Sequence, residues 1–130
     1  MAPLVSVVIP IYNPGPLLKL CLDSVAAQGY PDLEVVPVDD AGPEPVRAAL
    51  EARAKADPRV RPVFHEVNRG LAGALNSGVA KATGAYILVL EQDCELLDAN
   101  AIERCVVLAD PASELVTPDL LPFAIQAATE

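Results

Sequence analysis

Leu4-Val5-Ser6-Val7-Val8-Ile9-Pro10-Ile11 decides the architecture. The run is short, almost wholly apolar and rich in valine and isoleucine. A strand with one wet face alternates polar and apolar residues, and this one does not, so it reads as buried on both faces of a helix-covered parallel sheet. Asn13-Pro14-Gly15-Pro16 breaks it. From Leu17 the apolar residues Leu17, Leu18, Cys21, Leu22 and Val25 share one helical face, and Gly29 and Pro31 close that helix.

The alternation then repeats. The pattern predicts strands over 33–38, 60–65 and 86–90, helices over 45–56, 71–82 and 100–109, and a short fifth strand at 114–117. This β-α-β-α-β-α-β-α-β order predicts an α/β fold: a Rossmann-like, three-layer α/β/α domain with a mostly parallel sheet. Right-handed crossovers then align the strand C-termini along one edge. Pro37 and Pro62 lie inside predicted strands and lack the ladder N–H. Pro62 fits an edge strand, whereas Pro37 requires a local bulge.

A chain of 130 residues suits one domain, 1–130, with one core. Apolar residues make up 52% and aromatics 4%, so valine, leucine, isoleucine and alanine must fill it. The net charge of -9 repels polyanions, which argues against nucleic acid and anionic membrane surfaces as partners. Cys21, Cys94 and Cys105 form no C-x-x-C pair, which suggests neither a disulfide framework nor a zinc site. Cys21 and Cys105 read as buried thiols, and a reducing, cytoplasmic setting fits them. The N-terminus lacks the features of a signal peptide, and no apolar run approaches the ~20 residues of a membrane span.

Ligands of open parallel sheets bind beyond the strand C-termini. The first strand delivers Tyr12 and Asn13 there, the second Asp39 and Asp40, and the fourth Glu91 and Asp93. Carboxylates gathered this closely repel one another unless a cation joins them. Oxygen ligands suit Mg²⁺ or Mn²⁺, with phosphates completing the shell. The alternative is that Asp39-Asp40 caps the next loop and Glu91-Gln92-Asp93 is a solvated helix entry. There is no G-x-x-x-x-G-K-[ST] loop, no G-x-G-x-x-G turn and no G-x-S-x-G elbow, which argues against P-loop NTPases, dinucleotide dehydrogenases and serine hydrolases. His65, the only histidine, reads as structural.

Val5 to Asn13 resembles the opening strand of family 2 glycosyltransferases, which have the GT-A fold. Cys21 to Gln28 resembles their first-helix motif, and Val36-Pro37-Val38-Asp39-Asp40 their second strand with its paired aspartates. Asn68 to Asn76 is similar to the Asn-x-Gly-Leu helix entry, and Thr83 to Asp93 to the strand leading into the D-x-D metal motif. The resemblance implies that Pro10, Ile11 and Tyr12 wrap a nucleobase, that Asp40 with Asp39 accepts its N–H, and that Asn76 and the Asn68–Gly70 loop line a donor pocket. Glu91 and Asp93 would hold a divalent cation on the donor diphosphate.

The implied activity is glycosyl transfer from a nucleotide sugar, a UDP-sugar in the first instance, to a carbohydrate or lipid-linked hydroxyl acceptor. Glu91 stands where the family usually has Asp, and Cys94 where it often has a further Asp. The resemblance covers about 4–110. It implies the nucleotide-sugar-binding half of a longer catalytic domain, with the acceptor site and general base expected outside it. A non-catalytic binding module and a homodimer-forming fragment are the other readings.

Overall fold

The computed structural model describes residues 3–109 and 125–127. Five strands, β1 (Val5–Ile11), β2 (Leu33–Asp39), β3 (Val63–Phe64), β4 (Tyr86–Val89) and β5 (Ile125–Ala127), form one sheet in the order β3-β2-β1-β4-β5. The first four are parallel, and β5 pairs antiparallel with β4. Helices α1 (Leu17–Ala26), α2 (Glu44–Ala56), α3 (Gly70–Lys81) and α4 (Ala101–Ala109) join them.

Strand β1 lies at the centre, and its side chains divide the core. Val5, Val7, Ile9 and Ile11 face Leu18, Cys21, Leu22 and Val25 of α1, Leu50 of α2 and Ile102 of α4. On the other face Val8 packs with Val36, Val38 and Ile87 against Ala74 of α3. Full burial of such side chains contributes about 1.5–3 kcal/mol each. Chain order explains the division. The path runs outward from β1 through β2 to β3, then returns past β1 to β4. With right-handed crossovers, that reversal sends α3 to the face opposite α1 and α2. It also creates a switch point between β1 and β4.

Helix α3 approaches the sheet closely. A Cβ added at Gly78 would run into Val8 and come within 3.1 Å of Val38. At the strand N-termini, Glu34 is buried among donors. Ser6 Oγ donates to its Oε2 at 2.5 Å, Thr83 N at 2.8 Å, and Arg61 pairs with its other oxygen. Burial, the largest influence, pushes this carboxyl up, but the hydrogen bonds from Ser6, Thr83 and Arg61 outweigh it and hold it below the usual range. Gln28 links α1 to α4: its Nε2 donates to Asp98 O at 2.7 Å, and its Oε1 accepts from Ile102 N at 3.0 Å.

Two expectations need correction. Pro37 sits in an unbulged ladder, paired with Ile9. The accommodation is made by the neighbouring strand instead: Val35 N–H points toward β3, donating to Arg59 O, so position 37 faces the same way. Opposite it the edge is broken between a single bridge at Val60 and the two-residue β3, so no ladder bond is lost. Pro62 falls in that gap, which shortens the predicted 60–65 strand. The strand expected at 114–117 lies outside the described residues, and the fifth strand is found at Ile125–Ala127.

Candidate functional site

A cleft of about 530 Å³ opens at the switch point, lined by Pro10, Ile11, Tyr12, Asp40, the start of α3 and Glu91-Gln92-Asp93. Its floor is the end of β1, and its walls come from chain segments that follow β2, β3 and β4.

Tyr12 leaves β1 with its side chain half exposed. Asn13 follows in the left-handed region at φ 45°, which turns the chain away from the sheet. Asp39 and Asp40, adjacent in sequence, do different work. Asp39 Oδ1 accepts from Gly42 N at 2.9 Å and caps the turn after β2, in which Ala41 is left-handed at φ 60°. Asp40 reaches across to the loop before α3: Oδ1 accepts from Arg69 N at 2.8 Å and Oδ2 from Gly70 N at 2.9 Å. Gly70 has φ 76°, a conformation that excludes other residues without strain. Burial pushes the Asp40 carboxyl up, but bonds from His65 and these two amides hold it below the usual range.

Glu91, Asp93 and Cys94 bring one ligand atom each to within 4.8 Å of one another. Cys94 N donates to Glu91 O at 3.0 Å, closing the tight turn that gathers them. Two exposed carboxylates beside an open cleft fit a hard divalent cation that takes its other ligands from phosphate and water. The Cys94 sulfur is a soft donor and adds little to such a shell. Beneath the turn, Cys21 Sγ donates to Glu91 O at 3.5 Å. Burial first, then the charges of Cys94 and Asp93, push the Cys21 thiol up to about 12, so it is a neutral support.

Pro10, Ile11, Tyr12, Asp40, Glu91 and Asp93 are thus brought together. Asn13 and Asp39 flank the cleft without lining it. Asn76 is exposed on α3, two residues and so about 200° from the cleft-facing Ala74, and it does not line the cleft. Sequence reasoning missed two residues. Gln92 lies within a motif read only for its carboxylates. His65 read as structural, and its bond to Asp40 depends on a strand adjacency that spacing alone does not reveal.

The family model described as Glycosyl transferase family 2 matches residues 6–118. The chain is 40% identical over 93 residues to "Uncharacterized glycosyltransferase EpsJ" of Bacillus subtilis, covering 72% of this chain and 27% of that protein. It is 36% identical over 103 residues to "Glycosyltransferase GlyG" of Streptococcus pneumoniae, covering 79% and 34%. Among solved structures, the mannosyltransferase PcManGT from Pyrobaculum calidifontis in complex with GDP-Man and Mn²⁺ matches with a TM-score of 0.77 and 33% identity, over 85% of this chain and 34% of that one. S. aureus TarS in complex with UDP-GlcNAc matches at TM-score 0.73 over 82% of this chain and 31% of that one, and its 24% identity speaks to the fold alone. The chain belongs to glycosyl transferase family 2. It spans 13% to 34% of the length of these curated relatives and of a further one that is 42% identical.

Proposed function

We propose that this chain forms the donor-binding part of a glycosyltransferase, taking a nucleoside diphosphate sugar, a UDP-sugar in the first instance, together with Mg²⁺ or Mn²⁺. The carrying observation is the meeting of Tyr12, Asp40, Glu91 and Asp93 in one cleft at the switch point. The half-exposed Tyr12 ring offers a stacking face to the base. Glu91 and Asp93 would hold the divalent ion, whose bound charge offsets the diphosphate and favours its departure. That PcManGT is complexed with GDP-Man and Mn²⁺ supports this reading. The acceptor would be a carbohydrate or lipid-linked hydroxyl, with the chain working as one part of a longer catalytic domain.

A thermal-shift titration with UDP and GDP, with and without Mn²⁺, tests the proposal. Ligand at ~100 times its Kd adds about 2.7 kcal/mol of stability. The expected result is a rise that needs nucleotide and metal together and is lost in Asp93→Ala. No rise with either nucleotide overturns it. A binding module without turnover is the second reading, favoured by Cys94 beside the two carboxylates. Donor hydrolysis that Asp93→Ala abolishes would exclude it.

A further inference from the structure

We infer that His65 is a positioning residue for the cleft: through Asp40 it holds the Asn68–Gly70 turn in the shape that walls the site. His65 follows β3, and its backbone N–H donates to Asp39 O at 2.9 Å, which sets it beside the end of β2. The His65 and Asp40 side chains are each 3% exposed. His65 Nδ1 lies 2.7 Å from Asp40 Oδ1, and its Nε2 lies 2.7 Å from Ser77 Oγ on α3. Ionised Asp40 only accepts hydrogen bonds, so Nδ1 carries a proton and donates to it, while Nε2 shares the second bond with the Ser77 hydroxyl.

The chain of contacts therefore runs from the middle of α3, through the ends of β3 and β2, back to the first residue of α3. Its last links are the two amides on Asp40. Arg69 N shares Oδ1 with the imidazole, and Gly70 N holds Oδ2 while also donating to Asn68 Oδ1 at 3.0 Å. A buried carboxylate stripped of one donor must rotate, hydrate or take up a proton, and each response loosens these amides. Neither His65 nor Ser77 lines the cleft. This hydroxyl–imidazole–carboxylate series thus presents no nucleophile there, and it acts by orientation.

Two near-isosteric variants separate orientation from bulk stability. His65→Asn keeps a donor near the Nδ1 position, facing Asp40. His65→Gln moves its amide toward the Nε2 position, facing Ser77. Amide hydrogen exchange of the full chain, read by NMR, should be about tenfold faster at Arg69 and Gly70 in His65→Gln. In His65→Asn it should stay near wild type, with Val36 in the sheet interior unchanged in both. Unchanged exchange in His65→Gln, or equal acceleration in both variants, overturns the inference. If His65→Gln does not fold, the wild-type imidazole still decides: as the only histidine it gives one set of ring signals. A proton on Nδ1 upholds the inference, and an Nε2-protonated neutral ring overturns it.

The consequence for ligand rests on the proposed function. UDP with Mn²⁺ should bind about tenfold more weakly to His65→Gln and normally to His65→Asn. If wild type binds no nucleotide, that function fails, while the exchange experiment still decides the role of His65.

Discussion

Gln92 closes a two-hydrogen-bond ring on the backbone of Tyr12. Tyr12 N donates to Gln92 Oε1 at 2.9 Å, and Gln92 Nε2 donates to Tyr12 O at 2.9 Å. The contact joins the end of β1 to the turn after β4, across the mouth of the switch point. Gln92→Ala should lower nucleotide affinity about tenfold by freeing Tyr12, with a stability loss of about 1 kcal/mol. Gln92→Glu should do the same, because a carboxylate facing Tyr12 O has no proton to give. Calorimetric titration beside urea melts reads both quantities, and an affinity that merely follows stability would count against the role.

Gly70 and Gly78 of α3 are each required, for different reasons. Gly70→Ala forces a Cβ into the left-handed region and should destabilise by about 1–2 kcal/mol. Gly78→Ala drives a methyl into Val8 and Val38 and should cost about 1–3 kcal/mol. Urea midpoints at constant slope test both. Nucleotide binding should suffer more from the change at Gly70, which walls the cleft.

The acid limb of stability should report Glu34 and Asp40. Hydrogen bonds hold both carboxyls below their ordinary values in the folded protein. Each contribution is therefore complete above the unfolded carboxyl value and is lost as pH falls through the lower folded value. Glu34→Gln should lower stability at neutral pH by about 1–3 kcal/mol and flatten the acid limb. A limb of unchanged steepness in chemical denaturation would refute this assignment.

Cys94→Asp should tighten Mn²⁺ and Mg²⁺ binding, because it places a third oxygen donor where a thiol now stands beside Glu91 and Asp93. Paramagnetic relaxation by Mn²⁺ measures this directly. Asp93→Ala should abolish the effect in either background.

Much of this was legible in the residues. The nearly continuous apolar run of β1 reads as a doubly covered strand, and the shared edge of the strand C-termini followed from alternation and handedness, whereas the strand order came only with the structure. The carboxylates could be placed because strand ends are easily read. What each carboxylate does could not. Asp39 and Asp40 are alike in sequence, and only the turn geometry makes one a cap for Gly42 and the other a clamp on Arg69 and Gly70. Asn76 sits on the outward side of α3 because the helix is held by Ala74 and Gly78, a phase that a short motif does not specify. The antiparallel β5 carries no apolar signature long enough to announce it.

The gap between Pro37 and Pro62 makes the sheet one-sided in its capacity to grow. Beyond β3 the margin offers two residues and a proline, too little backbone to recruit a neighbour. Any strand added to this sheet, from the same polypeptide or another, must therefore be admitted past β5.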